Sequence, residues 1–179
     1  MTGASTYRMA PLIRGTLVLL YLVLVLPLAP LAPPSLKPLL LVALPLGLLL
    51  VLAISSEQVV LNDDGIAVGH PLWCRWLVRR GWQLPWREIR SITPVATSQG
   101  GRVFYLRAAD GSAWLLPQRV ERFDDFLARF AGHSGLDTTA IGRISPPWTY
   151  RLLAILCALM LSAELILGLW LWHQGTAAF

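Results

Sequence analysis

Three long apolar runs constrain the fold of this chain more than any other feature of its sequence. They occupy about residues 16–32, 38–55 and 150–173, and the first two contain no charged residue. A helix of about 20 apolar residues spans the hydrocarbon core of a bilayer. Hydrophobic residues make up 55% of the chain and charged residues only 14%, which is unlike a soluble globular domain. The sequence therefore predicts a membrane protein with three transmembrane helices.

The first two runs are predicted to form a hairpin within residues 1–56. Pro27 and Pro30 should weaken or end the first helix, because proline removes a backbone donor and clashes with the preceding turn. Residues 32–37 form a short connector rich in proline before the second run begins. The N-terminal part is thus interpreted as a transmembrane hairpin with spans at about 16–32 and 38–55.

A cleaved signal peptide is the alternative interpretation of the first run. Arg8 and Arg14 resemble the basic segment of such a peptide, and small residues occur at positions 29–32. A cut there would leave Pro33 directly after it, and a second span follows at once. These two features favour the hairpin.

Tryptophans flank the third run at a separation that matches the two aromatic belts of a bilayer, namely Trp148 before it and Trp170 and Trp172 after it. The residues with positive charge near the spans are Arg8, Arg14, Arg143 and Arg151, whereas the hairpin connector carries only Lys37. The positive-inside rule then predicts a multi-pass protein of the cell (inner) membrane. Its N-terminus and soluble domain would be cytoplasmic, and its tail, residues 174–179, would lie outside.

Glu164 lies in the middle of the third run. A carboxylate at that depth is costly and usually faces a partner or a cavity. Glu164 is therefore a candidate for an intramembrane contact with a partner. The alternative, a protonated or locally hydrated side chain without a special role, stays open.

Residues 57–133 are predicted to form one small α+β domain, followed by a linker at 134–149. Turn signals, among them Asn62 to Gly65, separate short β-rich stretches at 59–61, 66–68, 89–95, 102–106 and 112–116. They indicate an antiparallel meander with five or six recognisable strands. An amphipathic helix with Gly132 as a candidate stop should follow and cover the sheet. Its apolar positions recur at helical spacing: Val120, Phe123, Phe126, Leu127 and Phe130.

The order of these motifs resembles the bacterial pleckstrin-homology-like (PH-like) domains that are attached to membrane hairpins in small proteins. The resemblance rests on Asp64-Gly65-Ile66, on residues 84–92, on Asp110-Gly111 and on Leu116-Pro117 before the helix. It implies a bent antiparallel sheet of about seven strands closed by a C-terminal helix. It also implies binding of lipid or protein at a membrane, without catalysis. Phosphoinositide-binding members use basic residues around the first hairpin, but here that turn is acidic.

Residues 71–87 concentrate four tryptophans and four arginines. Arginine pairs with phosphate in a forked geometry, and tryptophan prefers the headgroup zone. The candidate membrane-interface or lipid-binding residues are Trp73, Trp76, Arg79, Arg80 and Trp82. In the alternative interpretation these tryptophans belong to the domain core and the arginines are simply solvated.

The sequence shows no pattern that commits the chain to a reaction. His70, His133, His173 and the two cysteines are scattered, so neither a metal site nor a cofactor is predicted. Between residues 55 and 150, eleven arginines face nine acidic residues, which argues against nucleic-acid binding. The predicted function is a noncatalytic membrane-anchored module that binds membrane-protein partners, self-associates or assists the assembly of a membrane complex. A binder or sensor of anionic lipid headgroups at the cytoplasmic face is the alternative.

Overall fold

The computed structural model describes residues 3–78, 81–98, 100–143 and 146–176. In this described part, the chain forms five α-helices and seven β-strands. They belong to two compact units, one from Met1–Pro11 and Ala53–Pro146, the other from Leu12–Leu52 and Pro147–Phe179. The second unit is helical, and the first contains all of the described strands.

The helical elements are α1 (Pro11–Val25), α2 (Leu28–Leu31), α3 (Lys37–Ile54) and α5 (Pro147–Thr176). Within the described ranges, three helical segments are long and apolar enough to cross a membrane, namely Pro11–Leu31, Lys37–Ile54 and Pro147–Gln174. The three predicted apolar helices are therefore confirmed. The first is interrupted at Leu26 and Pro27, as expected from the missing amide of proline.

Within the helical unit, α1 packs against both α3 and α5. The Tyr21 hydroxyl donates a hydrogen bond to the backbone oxygen of Leu44 at 2.6 Å. A side chain at Gly47 would collide with the Tyr21 ring, so this glycine permits the close approach of α1 and α3. On the other side of α1, the buried Thr16 hydroxyl lies 3.4 Å from the backbone oxygen of Tyr150.

Four strands form the first antiparallel sheet, in the order β1-β2-β3-β4. They are β1 (Ser5–Arg8), β2 (Gln58–Leu61), β3 (Gly65–Gly69) and β4 (Trp82–Pro85). The hairpin of β2 and β3 was predicted, and its turn is held by the Asn62 side chain, which accepts the backbone N–H of Gly65 at 2.9 Å. Sequence patterns did not reveal β1, which precedes the first apolar helix, or β4.

The second sheet has the order β5-β6-β7, with β5 at Ile89–Ala96, β6 at Arg102–Ala108 and β7 at Ala113–Leu115. These strands coincide with the three predicted at 89–95, 102–106 and 112–116. A 3₁₀ turn at Trp86–Glu88 separates β4 from β5, so the described strands divide between two sheets, where the sequence predicted one meander.

Helix α4 (Phe123–Ser134) confirms the predicted amphipathic helix, with Phe123, Phe126 and Phe130 in a core that both sheets share. The predicted stop at Gly132 is wrong. The helix continues to Ser134, and Gly135 ends it with a left-handed φ of 68°, donating its N–H to the Ala131 oxygen at 2.8 Å. A glycine inside a helix costs only about 1 kcal/mol, so Gly132 does not stop it.

The segment after α4 packs back onto the same unit. Ile141 is buried, and Leu136 contacts the core. The buried Gln118 amide donates to the Gly142 oxygen at 2.7 Å and to the Arg102 oxygen at 3.3 Å. The first part of the segment interpreted as a linker is thus held by the domain as far as Gly142.

Candidate functional site

The strand register brings the β3–β4 loop to one end of the first sheet. Arg8 pairs with Gln58, and Gln58 pairs with Gly69, so these residues form a row. Helix α1 begins just after β1, and α3 ends just before β2. We call this the helix-connection end, and the loop that follows Gly69 leaves the sheet there.

Residues 71–78 of this loop fold into consecutive tight turns around Cys74. The backbone N–H groups of Cys74 and Arg75 donate to the Pro71 oxygen at 3.1 and 3.0 Å. The Cys74 side chain is buried, with its Sγ atom 3.2 Å from the Ser56 hydroxyl oxygen and 4.0 Å from the Ala53 oxygen. The loop is therefore attached to the residues that end α3, which belong to the same compact unit.

The outer side of the loop presents large apolar side chains. Their exposed fractions are 78% for Leu72, 50% for Trp73, 81% for Trp76 and 45% for Leu77. The Trp76 indole N–H donates to the Trp73 oxygen at 3.0 Å, so its polar atom is paired and its apolar surface remains free. Apolar side chains clustered on a surface in this way mark an interaction site with a membrane or a protein.

A groove of about 730 Å³ lies between this loop and the outer surface of the first sheet. Strands β2 and β4 contribute Gln58 and Gln83, and the loop contributes His70 and Arg75. The Nδ1 atom of His70 is buried and has no hydrogen-bond partner among the residues that the structure describes. The remaining walls are mostly apolar and include Val60, Ala67, Leu72, Trp76 and Trp82.

A smaller cavity of about 210 Å³ adjoins the groove and is lined by Glu57 and His70, with Leu115 and Pro117 opposite. Burial raises the pKa of the Glu57 carboxyl above its ordinary value, while the positive charge of His70 and of Arg119 opposes this effect. An acid and an imidazole that both line one cavity can accept and donate hydrogen bonds there. His70 thus borders both the groove and this cavity.

The structure brings some of the predicted interface residues together. Trp73 and Trp76 lie on the exposed loop, whereas Trp82 begins β4 and stacks on Trp114 at 5.4 Å, half-buried at the edge of the core. Arg79 and Arg80 lie outside the described residues. The nearby Trp86 follows β4 and does not belong to the loop. It stacks on a histidine of α4 and donates its indole N–H to the Asn62 oxygen at 2.8 Å.

Glu164, the candidate intramembrane contact, lies on α5 and is half-buried. It follows Cys157 by seven residues, which places both on one face of the helix. Cys157 is buried within the helical unit. Glu164 thus lies on the same side of α5 as Cys157 and remains partly exposed, so a partner helix can reach it.

Sequence reasoning missed four polar residues of the groove. Arg75 lies inside the segment rich in tryptophan and arginine, and His70 directly precedes it, so both were visible as neighbours of the predicted candidates. Gln58 and Gln83 carry no comparable signal. They meet in the groove only because β2 and β4 flank β3 in the sheet.

Comparison with known proteins gives one informative similarity. A protein of Synechocystis sp., named "Uncharacterized protein slr0269", is 40% identical to this chain over 180 residues. The similarity covers 97% of this chain and 90% of that protein. No family model and no solved structure matches the chain.

Proposed function

We propose that this chain, which belongs to the same family as the Synechocystis protein slr0269, is a noncatalytic membrane-anchored interaction module. Its PH-like domain binds membrane-protein partners, or further copies of the chain, and assists the assembly of a membrane complex. The observation that carries the proposal is the pairing of β1 with β2, which lie on either side of the apolar hairpin.

Short connections join the paired strands to the helices of the hairpin. Only Met9 and Ala10 separate β1 from α1, and residues 55–57 separate α3 from β2. The chain therefore leaves one sheet for the hairpin and returns to the same sheet through two- and three-residue connections, which supports a domain anchored at a membrane.

The same pairing supports a topology in which both ends of the hairpin lie on one side of the membrane. Strands that share hydrogen bonds cannot be separated by a bilayer, so α1 and α3 cross it as a pair and α5 takes the C-terminus to the other side. The arginines near the starts of α1 and α5 favour the cytoplasmic face of the cell (inner) membrane for the domain.

A pull-down from membranes in mild detergent tests the proposal. The tagged full-length chain is compared with Glu164→Leu and Glu164→Gln, and with Leu159→Ala as a control on another face of α5. We expect a membrane protein in stoichiometric amount with the wild type and the control, and less with Glu164→Leu. Recovery of no membrane protein, including no second copy of the chain, would contradict the proposal.

Binding of anionic lipid headgroups is a second candidate function. It is favoured by the exposed loop and by the groove beside it, both at the helix-connection end. The residues proposed to carry it are Trp73, Trp76, Arg79, Arg80 and Trp82.

Charge reversal separates the two candidate functions. The full-length chain with both Arg79→Glu and Arg80→Glu should lose co-purifying anionic lipid if lipid is the ligand, and should keep its protein partners. Arg90→Glu with Arg107→Glu, on the second sheet, is the matched control. Unchanged lipid recovery from the first pair would argue against this candidate.

A further inference from the structure

We propose that the groove beneath residues 71–78 binds the headgroup phosphate of an anionic phospholipid from the adjacent leaflet. This inference rests on the second candidate function and deepens it, because it names the ligand and the residues that recognise it. The recognising groups are Arg75 and His70, with the amides of Gln58 and Gln83.

The position of the groove is the first argument. Cys74 holds the loop against Ala53 and Ser56, where α3 ends. If α3 spans the bilayer, its end lies in the headgroup zone, at the border of the hydrocarbon core. A phospholipid of that leaflet therefore carries its phosphate at the level of the loop.

The charge of the groove is the second argument. Arg75 supplies a permanent positive charge and a forked set of donors that matches phosphate oxygens. His70 also lines the groove, and its imidazole can donate a hydrogen bond as the imidazolium or as the neutral ring. None of the described residues that line the groove is acidic. The Glu57 carboxyl lines the neighbouring cavity together with His70.

The shape and apolar rim of the groove favour a lipid over a free phosphate ion. Its volume of about 730 Å³ is much larger than a phosphate needs and is within the usual range for organic ligands. Leu72 and Trp76 line the groove and also rank among the most exposed apolar side chains of the domain. These side chains would contact the glycerol and upper acyl region of a lipid whose phosphate is bound inside.

Native mass spectrometry of the delipidated full-length chain in nonionic detergent tests this site. The probes are a short-chain phosphatidylglycerol, the phosphatidylcholine with the same chains, and sodium phosphate as a competitor. We expect the affinity for phosphatidylglycerol to exceed the affinity for phosphatidylcholine by at least about fivefold. Arg75→Gln should weaken phosphatidylglycerol binding by about fivefold, as removal of one interfacial cation predicts. The control variant Arg107→Gln, which replaces an exposed arginine of β6, should leave phosphatidylglycerol binding unchanged.

A second variant keeps the test decisive if the Arg75→Gln protein does not fold. Gln83 is exposed, and Gln83→Glu places a negative charge in the groove without removing any buried group, so it should also weaken phosphatidylglycerol binding. The near-ultraviolet circular dichroism of both variants should match the wild type.

Three results would overturn the inference. These are equal binding of the two lipids, equal losses in Arg75→Gln and Arg107→Gln, and displacement of phosphatidylglycerol by sodium phosphate at equal concentration. The last result would assign the groove to free phosphate. Because the pull-down of protein partners is a separate measurement, loss of lipid selectivity with partner recovery intact rejects this site and leaves the leading function standing.

Discussion

At the scale of single residues, a polar cluster attaches the N-terminal strand to α4. The buried Tyr7 ring packs edge-on against Phe126 at 5.4 Å, and its hydroxyl donates to the Asp125 carboxylate at 2.7 Å. Arg129 contacts the same carboxylate at 3.4 Å and donates to the Ser5 hydroxyl at 2.6 Å. Strand β1 is thus fixed by side-chain bonds as well as by pairing with β2.

The Tyr7→Phe variant should lower the free energy of unfolding by about 1 kcal/mol at pH 8, because it removes one hydrogen bond and leaves the ring in place. Burial raises the pKa of Tyr7 to about 12, and the hydrogen bond to Asp125 adds to this effect. The folded protein therefore keeps the proton above pH 10, so the stabilisation is present below pH 10 and is lost as the pH rises to about 12.

Denaturant unfolding of the full chain in detergent, from pH 8 to 12, measures both effects, with Tyr105→Phe as the control. The difference between the wild type and Tyr7→Phe should shrink above pH 10. A constant difference across the range would show that the Tyr7 proton is not linked to folding.

The carboxyl of Glu57 should lower the stability of the fold at neutral pH, whereas the Tyr7 hydroxyl raises it. Burial raises the pKa of this carboxyl, so the folded state favours the protonated acid. The stability that the protonated acid contributes is lost as the pH rises through the folded-state pKa. Glu57→Gln should therefore raise the thermal midpoint at pH 7.5, and the gain should vanish toward pH 4. Glu88→Gln, in the 3₁₀ turn between β4 and β5, is the control. A lower midpoint for Glu57→Gln at pH 7.5 would mean that the carboxylate has a stabilising partner.

At the scale of elements, the end of α4 shows why one of two neighbouring glycines ends a helix and the other does not. Gly132 lies inside the helix with nothing within 4 Å of an added side chain, whereas Gly135 has a φ of 68°, which strains any other residue. Sequence patterns could not identify which glycine ends the helix, because this depends on which of the two residues adopts the left-handed backbone conformation.

The two alanine variants should therefore change stability in opposite directions. Gly132→Ala should stabilise the domain by about 1 kcal/mol through helix propensity. Gly135→Ala should destabilise it by about 1 kcal/mol through the left-handed backbone. Thermal unfolding of the full chain compares them directly, and a shift of the same sign for both would place the end of the helix elsewhere.

At the scale of the whole molecule, the interleaving of strands and apolar helices predicts the topology. In a chain with both native cysteines replaced by alanine, single cysteines at Gly3 and Asp63 should react with a membrane-impermeant maleimide from the same side. A cysteine at Gln174 should react from the opposite side. Labelling of intact cells and of inverted vesicles checks this, and reaction of Gly3 and Asp63 from different sides would contradict the pairing of β1 with β2.

Local sequence patterns were enough to predict the three apolar helices, the break at Pro27, the β2–β3 hairpin, the three strands of the second sheet and α4. These features follow from hydrophobic periodicity and turn residues, which act over a few neighbouring positions. The exposed tryptophans of the loop were also visible, because an unusual composition needs no knowledge of the fold.

Three features became visible only in the folded chain, namely β1, the division of the strands into two sheets and the groove. Strand β1 has four residues and becomes a strand by pairing with residues about fifty positions later, beyond the hairpin. The groove likewise depends on which strands are neighbours, since Gln58, His70 and Gln83 come together through the order of β2, β3 and β4. Pairing between distant segments is set by register and core packing, which local patterns do not encode.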